Sequence, residues 1–246
     1  MVVTLANQAL RIICIIAALG MASMAQANPY VAAALPWSNG KVQLFLSDGT
    51  YLRYDTQTER IDPGYPKPVN DTSWPGLGRF ATLISAAFSG PSGKAYFFMA
   101  TGDYVRFDVA ADRVDPDYPR PINDSTWPGL GPYHNQIFGA INWTNNRVQM
   151  FLSNGSYVRF DLGGNRMDEG YPKRISKETW PGLEPYAANL AGMVNWNNRK
   201  AYFFLDNNTF LRYDIASDRL DEGYPKPLDE TTWPGIARAI GHRPAK

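Results

Sequence analysis

The chain of 246 residues has one cysteine, Cys14, and two histidines, His134 and His242. With a single thiol no intrachain disulfide can form. So few histidines leave little for nucleophile–base chemistry, and no His/Cys spacing typical of a zinc site is present. No glycine-rich phosphate loop is present either. Lys plus Arg number 24 and Asp plus Glu 23, for a formal charge of +1. That balance excludes the strongly basic surface expected of a nucleic-acid binder or a partner of anionic lipid. Long apolar runs are also missing. Ile12 to Leu19 is too short to cross roughly 30 Å of hydrocarbon, so no membrane span is expected.

That short run has another reading. Arg11 supplies a positive start, and Ala25-Gln26-Ala27 is a small-x-small cleavage site. The pattern predicts a secretory signal peptide over residues 1–27, cut before Asn28, and a secreted or periplasmic destination. Removing it takes away Cys14 and Arg11, leaving 23 charges of each sign. About 220 residues remain, enough to bury a full core without disulfides.

What the sequence has in abundance is repetition. Tyr51-Leu52-Arg53-Tyr54-Asp55 returns 53 residues later as Tyr104 to Asp108, then as Tyr157 to Asp161 and Phe210 to Asp214. Trp-Pro-Gly keeps the same period from Trp74, Trp127, Trp180 and Trp233. A fixed period near fifty residues marks a propeller or a similar array.

One unit reads as follows. Ala32 to Trp37 is a short apolar strand ending at Asn39-Gly40, a two-residue hairpin signal. Lys41 to Leu46 is a second strand, and Asp48-Gly49 signals a second hairpin. Tyr51 to Asp55 is a third strand, with Tyr51, Arg53 and Asp55 on one face and Leu52 and Tyr54 on the other. Arg60 to Asp62, next to prolines, reads as an outer edge strand. Asp71 to Trp74 reads as a capped helical turn stopped by Pro75-Gly76. Three meandering strands and an edge make one blade, and four units make an all-β, four-bladed propeller. Blades are expected at about 30–77, 83–130, 136–183 and 189–236, with a tail over 237–246.

The fourfold rows carry structural expectations. Arg53, Arg106, Arg159 and Arg212 recur with Asp55, Asp108, Asp161 and Asp214. Arg60, Arg113, Arg166 and Arg219 recur with Asp62, Asp115, Asp168 and Asp221. Pairing within each blade is expected of them, against the alternative of a charged binding ring. Trp74, Trp127, Trp180 and Trp233 are expected as wedges between blades, each burying some 150–250 Å².

The string Arg53-Tyr54-Asp55, then Ile61-Asp62-Pro63-Gly64-Tyr65-Pro66-Lys67-Pro68-Val69, then Trp74-Pro75-Gly76-Leu77, resembles the hemopexin repeat. The second copy shows it again at Lys94 to Phe98, Tyr104 to Asp108, Arg113 to Pro116 and Trp127 to Leu130. The resemblance runs from about Ala32 to Ile236. It implies a single propeller of hemopexin type, similar to free-standing hemopexin-fold albumins, with a narrow channel and a binding role without catalysis. It also implies that the first residue of each innermost strand turns a backbone carbonyl toward a channel cation such as calcium. The matching positions are Ala32, Ser85, Phe138 and Ala191, none of them acidic, and no disulfide can tie the first blade to the last.

Candidate recognition residues lie where the copies differ. The links between blades place Phe80, Tyr133 and Tyr186 at one repeat position, with His134 beside them. Aromatic rings on a channel rim suit a flat or apolar ligand. His134 is the candidate axial ligand if that ligand is haem. Trp37, Trp143 and Trp196 share another position, where the second blade has Gly90. They read as capping of the innermost strand or as a stacking surface for sugars or a partner. The function expected is a secreted, non-catalytic binding protein for a small haem-like or polyamine-like ligand at the channel mouth, with no required cofactor. The alternative is a lectin-like or toxin-like domain that binds an extracellular protein or glycan. A homodimer stays open.

Overall fold

The computed structural model describes residues 28–196 and 199–241. The expected leader over 1–27 and the tail with His242 lie outside the described residues, as does the side chain of Trp196.

The first blade is built from β1 (Val31–Trp37), β2 (Lys41–Leu46), β3 (Thr50–Asp55), β4 (Arg60–Ile61) and β5 (Lys67–Pro68). β1 to β3 form an antiparallel meander, with Ala34 opposite Leu44 and Leu44 opposite Leu52. β1 and β2 are joined by three residues, Ser38–Gly40, one more than the expected two-residue turn, with Asn39 and Gly40 left-handed at φ 61° and 69°. The second hairpin departs from the expected two-residue turn in the same way. Ser47, Asp48 and Gly49 all lie outside the strands, and Gly49 takes the left-handed conformation at φ 82°. The outer edge differs as well. It is shared by two dipeptide strands, β4 and β5, that both pair with β3. The segment between them, Asp62 to Pro66, turns away through a cis Tyr65–Pro66 bond.

The same order repeats. The second blade holds β6 (Ile84–Ser89), β7 (Lys94–Met99), β8 (Asp103–Asp108), β9 (Arg113–Val114) and β10 (Arg120–Pro121). The third holds β11 (Ile137–Trp143), β12 (Arg147–Leu152), β13 (Ser156–Asp161), β14 (Arg166–Met167) and β15 (Lys173–Arg174). The fourth holds β16 (Leu190–Trp196), β17 (Lys200–Leu205), β18 (Thr209–Asp214), β19 (Arg219–Leu220) and β20 (Lys226–Pro227), and a single turn of helix, Ala237–Ile240, follows it. β1, β6, β11 and β16 meet around the axis. The architecture is a four-bladed propeller with short 3₁₀ turns between blades.

Strand alternation explains why the blades need one another. In β3, Tyr51 points into the core shared with the second blade, while Leu52 and Tyr54 point into the core shared with the fourth. Each of the four apolar clusters straddles a junction: fourth with first, first with second, second with third, third with fourth. Both faces of each sheet are therefore buried against a neighbour.

Trp-Pro-Gly builds each junction. Trp127, 4% exposed, packs edge-on against Phe98 of its own blade at 5.1 Å and against Phe160 of the next at 5.0 Å. The carbonyl of the following proline accepts a hydrogen bond from the next blade's edge: Val114 N–H to Pro75 O at 2.9 Å, Met167 to Pro128 at 3.0 Å, Leu220 to Pro181 at 3.0 Å. The glycine is held at positive φ because its Cα lies against that same edge. A Cβ on Gly129 would stand 2.7 Å from the Met167 Cβ.

The seam between the last and first blades uses the same parts. Ile61 N–H donates to Pro234 O at 2.8 Å, and Trp233 meets Tyr54 with ring centroids 4.6 Å apart. Gly241 and Asn28 lie side by side, so that a Cβ on the glycine would come within 2.9 Å of the asparagine Oδ1. The ring is closed by packing and hydrogen bonds.

Within each blade three of the four charged rows enter ion pairs, and the Arg60 row does not. Arg53 Nε donates to Asp62, and Lys41 bridges Asp55 at 2.7 Å and Asp62 at 3.0 Å. The other blades repeat this with Lys94, Arg147 and Lys200 in the bridging position. Arg60 and its equivalents face solvent at the edge. Tyr65 lies between Arg53 and Lys67, whose charges stand 5.2 and 5.0 Å from its ring centre, and each later blade has the same clamp.

Candidate ligand site at the channel mouth

Every innermost strand begins with an irregularity. The pairing of β1 with β2 shifts between Val31 and Ala33. The corresponding shifts fall between Ile84 and Ala86, between Ile137 and Gly139, and between Leu190 and Met193. Ala32, Ser85 and Phe138 are thus the single residues left out of the ladder in the first three blades, and in the fourth Ala191 is left out together with Gly192. A bulge bends its strand and re-aims the extra residue, which is why bulges gather at barrel rims and sites. All four line one cavity of about 330 Å³ at this end of the axis. The Ser85 hydroxyl donates to the Ile137 carbonyl at 3.0 Å, tying the second blade to the third inside the site.

The rest of the lining was not singled out in the sequence. Tyr30, Ser47, Thr82 and Asp206 reach the cavity from outside the innermost strands. Asp206 is its one carboxylate, and no Lys or Arg lines it. The Asp206 carboxylate accepts a bond from Asn189 Nδ2 at 3.1 Å. The equivalent positions are Ser47, Ala100 and Ser153, so the acid breaks the fourfold pattern. That break is the signal that a comparison of the copies at every position would have shown.

The linker aromatics lie elsewhere. Phe80, Tyr133 and Tyr186 are half-buried against the three junction cores, and none is among the residues lining the cavity. The Arg79 guanidinium covers the Phe80 ring at 4.6 Å. His134 is exposed, with Nδ1 3.0 Å from the Gly131 carbonyl oxygen and its ring against Gly102. It too stands outside the cavity.

The opposite end of the innermost strands carries a polar ladder. Asn142 accepts from Ser89 N–H at 2.9 Å and donates back to the Ser89 carbonyl at 2.7 Å, and Asn195 Nδ2 donates to the Asn142 carbonyl at 3.0 Å. The first blade has Pro36 at this position, which has no N–H to offer. Close by, Trp37 packs edge-on against Trp74 at 5.2 Å and Trp143 against Trp180 at 5.1 Å. In the second blade Tyr96 takes the space, since a Cβ on Gly90 would fall 2.2 Å from its ring.

No group of three or more His, Cys, Asp or Glu stands close enough to hold a metal among the described residues. No helix among them is long and apolar enough to cross a membrane.

The fold and the bulge-ringed channel define a class, the four-bladed propellers. Within it, the family model for Hemopexin matches residues 31–79 and 84–132. Two of the four blades thus match hemopexin repeats, and all four close into a four-bladed propeller, structurally like plant hemopexin-fold albumins. Macrophage metalloelastase of Oryctolagus cuniculus is 26% identical over 121 residues, 49% of this chain and 23% of that protein. The chain therefore spans less than a quarter of the length of that curated relative. The hemopexin fold protein CP4 from cow pea is 21% identical with a TM-score of 0.71, covering 88% of this chain and 100% of that one. A plant albumin from cicer arietinum showing hemagglutination is 22% identical with a TM-score of 0.70, covering 86% and 98%.

Proposed function

We propose that this protein is a non-catalytic binding protein of the secreted or periplasmic space, taking a small cationic ligand of the polyamine kind at the channel mouth. The observation that carries the reading is the lining of the 330 Å³ cavity, which holds one carboxylate, Asp206, and no cation beside the apolar walls of Ala32, Phe138 and Ala191. An ammonium group would meet Asp206 while methylene groups lie against those walls, a pairing of one charged contact with apolar burial common to small-ligand sites. Haem suits the cavity less well, because His134 stands outside it. The glycan alternative finds no free ring at Trp37 or Trp143, since both are packed into junctions. Calcium has no required part here. The four bulge residues carry no carboxylate and Asp206 is the one acid in the lining, whereas a hard cation prefers several.

Calorimetric titration with spermidine and putrescine tests the proposal. A charge-assisted hydrogen bond contributes about 1.5–3 kcal/mol, so Asp206→Asn is expected to weaken binding roughly tenfold or more. Equal affinity of the variant and the parent protein, or no heat with either amine, would sink the reading.

A further inference from the structure

A second cavity, of about 290 Å³, opens at the seam where the fourth blade meets the first. Trp233 and Tyr54 form its floor, and Tyr202, Arg212 and Thr231 of the fourth blade and Glu59 of the first reach it from the sides. Tyr202 stands edge-on to Trp233, with centroids 5.8 Å apart. Burial raises the Tyr54 phenol above its usual range, and the Glu59 carboxylate adds to that. Burial also raises the Tyr202 phenol. Both therefore keep their protons at neutral pH, as hydroxyls that can donate and accept.

Comparison with the other junctions shows what is particular to this one. The equivalents of Tyr54 are Phe107, Phe160 and Tyr213, and those of Tyr202 are Gln43, Tyr96 and Gln149. The seam is the one junction that brings a tyrosine from each side. The position of Glu59 is left-handed in all four blades, with φ of 52°, 52°, 46° and 51° for Glu59, Asp112, Asn165 and Asp218. Asn and Asp tolerate that conformation through their short side chains; Glu has no such advantage. A residue kept in a sparsely populated conformation points from the outlier toward a use. Here the longer acid brings its carboxylate to the cavity.

We propose that the seam cavity is a saccharide-binding site that accepts one neutral sugar ring. The charges around it offset one another: Glu59 and Asp221 against Arg212 and Lys226, with Arg212 already bonded to Asp221. A charged ligand gains little from such a balance. A polyol gains from the alternation of acceptor and donor groups, with Glu59 accepting, Arg212 donating, Tyr202 able to do either, and Thr231 accepting because its own proton goes to Asp229 at 2.6 Å. The aromatic side of the cavity faces the C–H groups of the ring. This site is separate from the channel mouth: it is lined by blades one and four alone, and the two cavities share no lining residue.

Saturation-transfer NMR of the full chain against a panel of neutral hexoses and their oligosaccharides, at millimolar concentration, tests the assignment. Glu59→Asn places at this position the residue that the third blade has, so the loop is expected to keep its fold and the melting temperature to hold or rise. Binding of the preferred sugar is expected to fall at least tenfold, and to fall again in Tyr202→Phe. Asp206→Asn should leave it unchanged, which separates this proposal from the one for the channel. Absence of any saccharide signal, unchanged binding in Glu59→Asn, or selection of a free amino acid instead of a sugar would each overturn it.

Discussion

At the scale of single residues, the copies differ in ways that follow from packing. Positions 43, 96, 149 and 202 alternate Gln, Tyr, Gln, Tyr, and position 90 is glycine where the other three blades have tryptophan, beside glutamine in the first and third and tyrosine in the fourth. The Tyr96 ring fills the volume that Trp37 and Trp143 fill in their blades. Gly90→Trp alone is therefore expected to destabilise by about 1–3 kcal/mol through overpacking. Adding Tyr96→Gln recreates the Trp–Gln combination of the first blade and should recover most of the loss, as urea titrations of the three variants would show. A double variant no more stable than the single one would refute the account. The Arg/Asp pairs were legible because each contact occurs four times. Asp206 was not, because it occurs once and lies far along the chain from the strand start it faces. Lys41, the bridge between Asp55 and Asp62, was missed because the third blade has Arg147 there, which hides the row from a search for identity.

At the scale of elements, the three-residue motif after each blade combines three roles. The indole fills the junction, the proline carbonyl receives the next edge, and the glycine leaves room for it. Trp127→Ala should cost about 3–5 kcal/mol, as for other large buried aromatics. Gly129→Ala should also destabilise, because it combines a φ of 93° with a clash against Met167. Both effects are read as shifts in the urea midpoint, and a Trp127→Ala midpoint equal to the parent's would refute the wedge. Alternation made the three long strands of each blade readable. The outer edge was read as one strand because its two pieces are dipeptides, too short for any periodicity to register, and the turn between them rests on tertiary contacts such as the Arg53–Tyr65–Lys67 clamp.

At the scale of the whole molecule, four equivalent ion networks act together when pH falls. The Lys41 ammonium and the backbone N–H groups of Gln57 and Thr58 hold the Asp55 carboxyl down to about 2. Lys94 and the N–H of Ala111 do the same for Asp108, also to about 2. Asp214 is lowered by Lys200 and Ser217. A carboxyl depressed in the folded state contributes stability that is fully present above its unfolded value near 4, and that is lost as pH drops through the folded value. Thermal stability should therefore be level with respect to these groups above about pH 5 and decline between about pH 4 and pH 2. A melting temperature unchanged across that interval would contradict the networks' role. Fold and blade number could be read before any coordinates because repetition multiplies a weak local signal by four. The closing seam was expected, but its cavity was invisible, since it joins residues far apart in the chain, Glu59 and Thr231, that no period relates. The first and last described residues are neighbours in space, as Asn28 and Gly241 show. The described residues thus close into a ring whose fourth joint is built from the same parts as the other three.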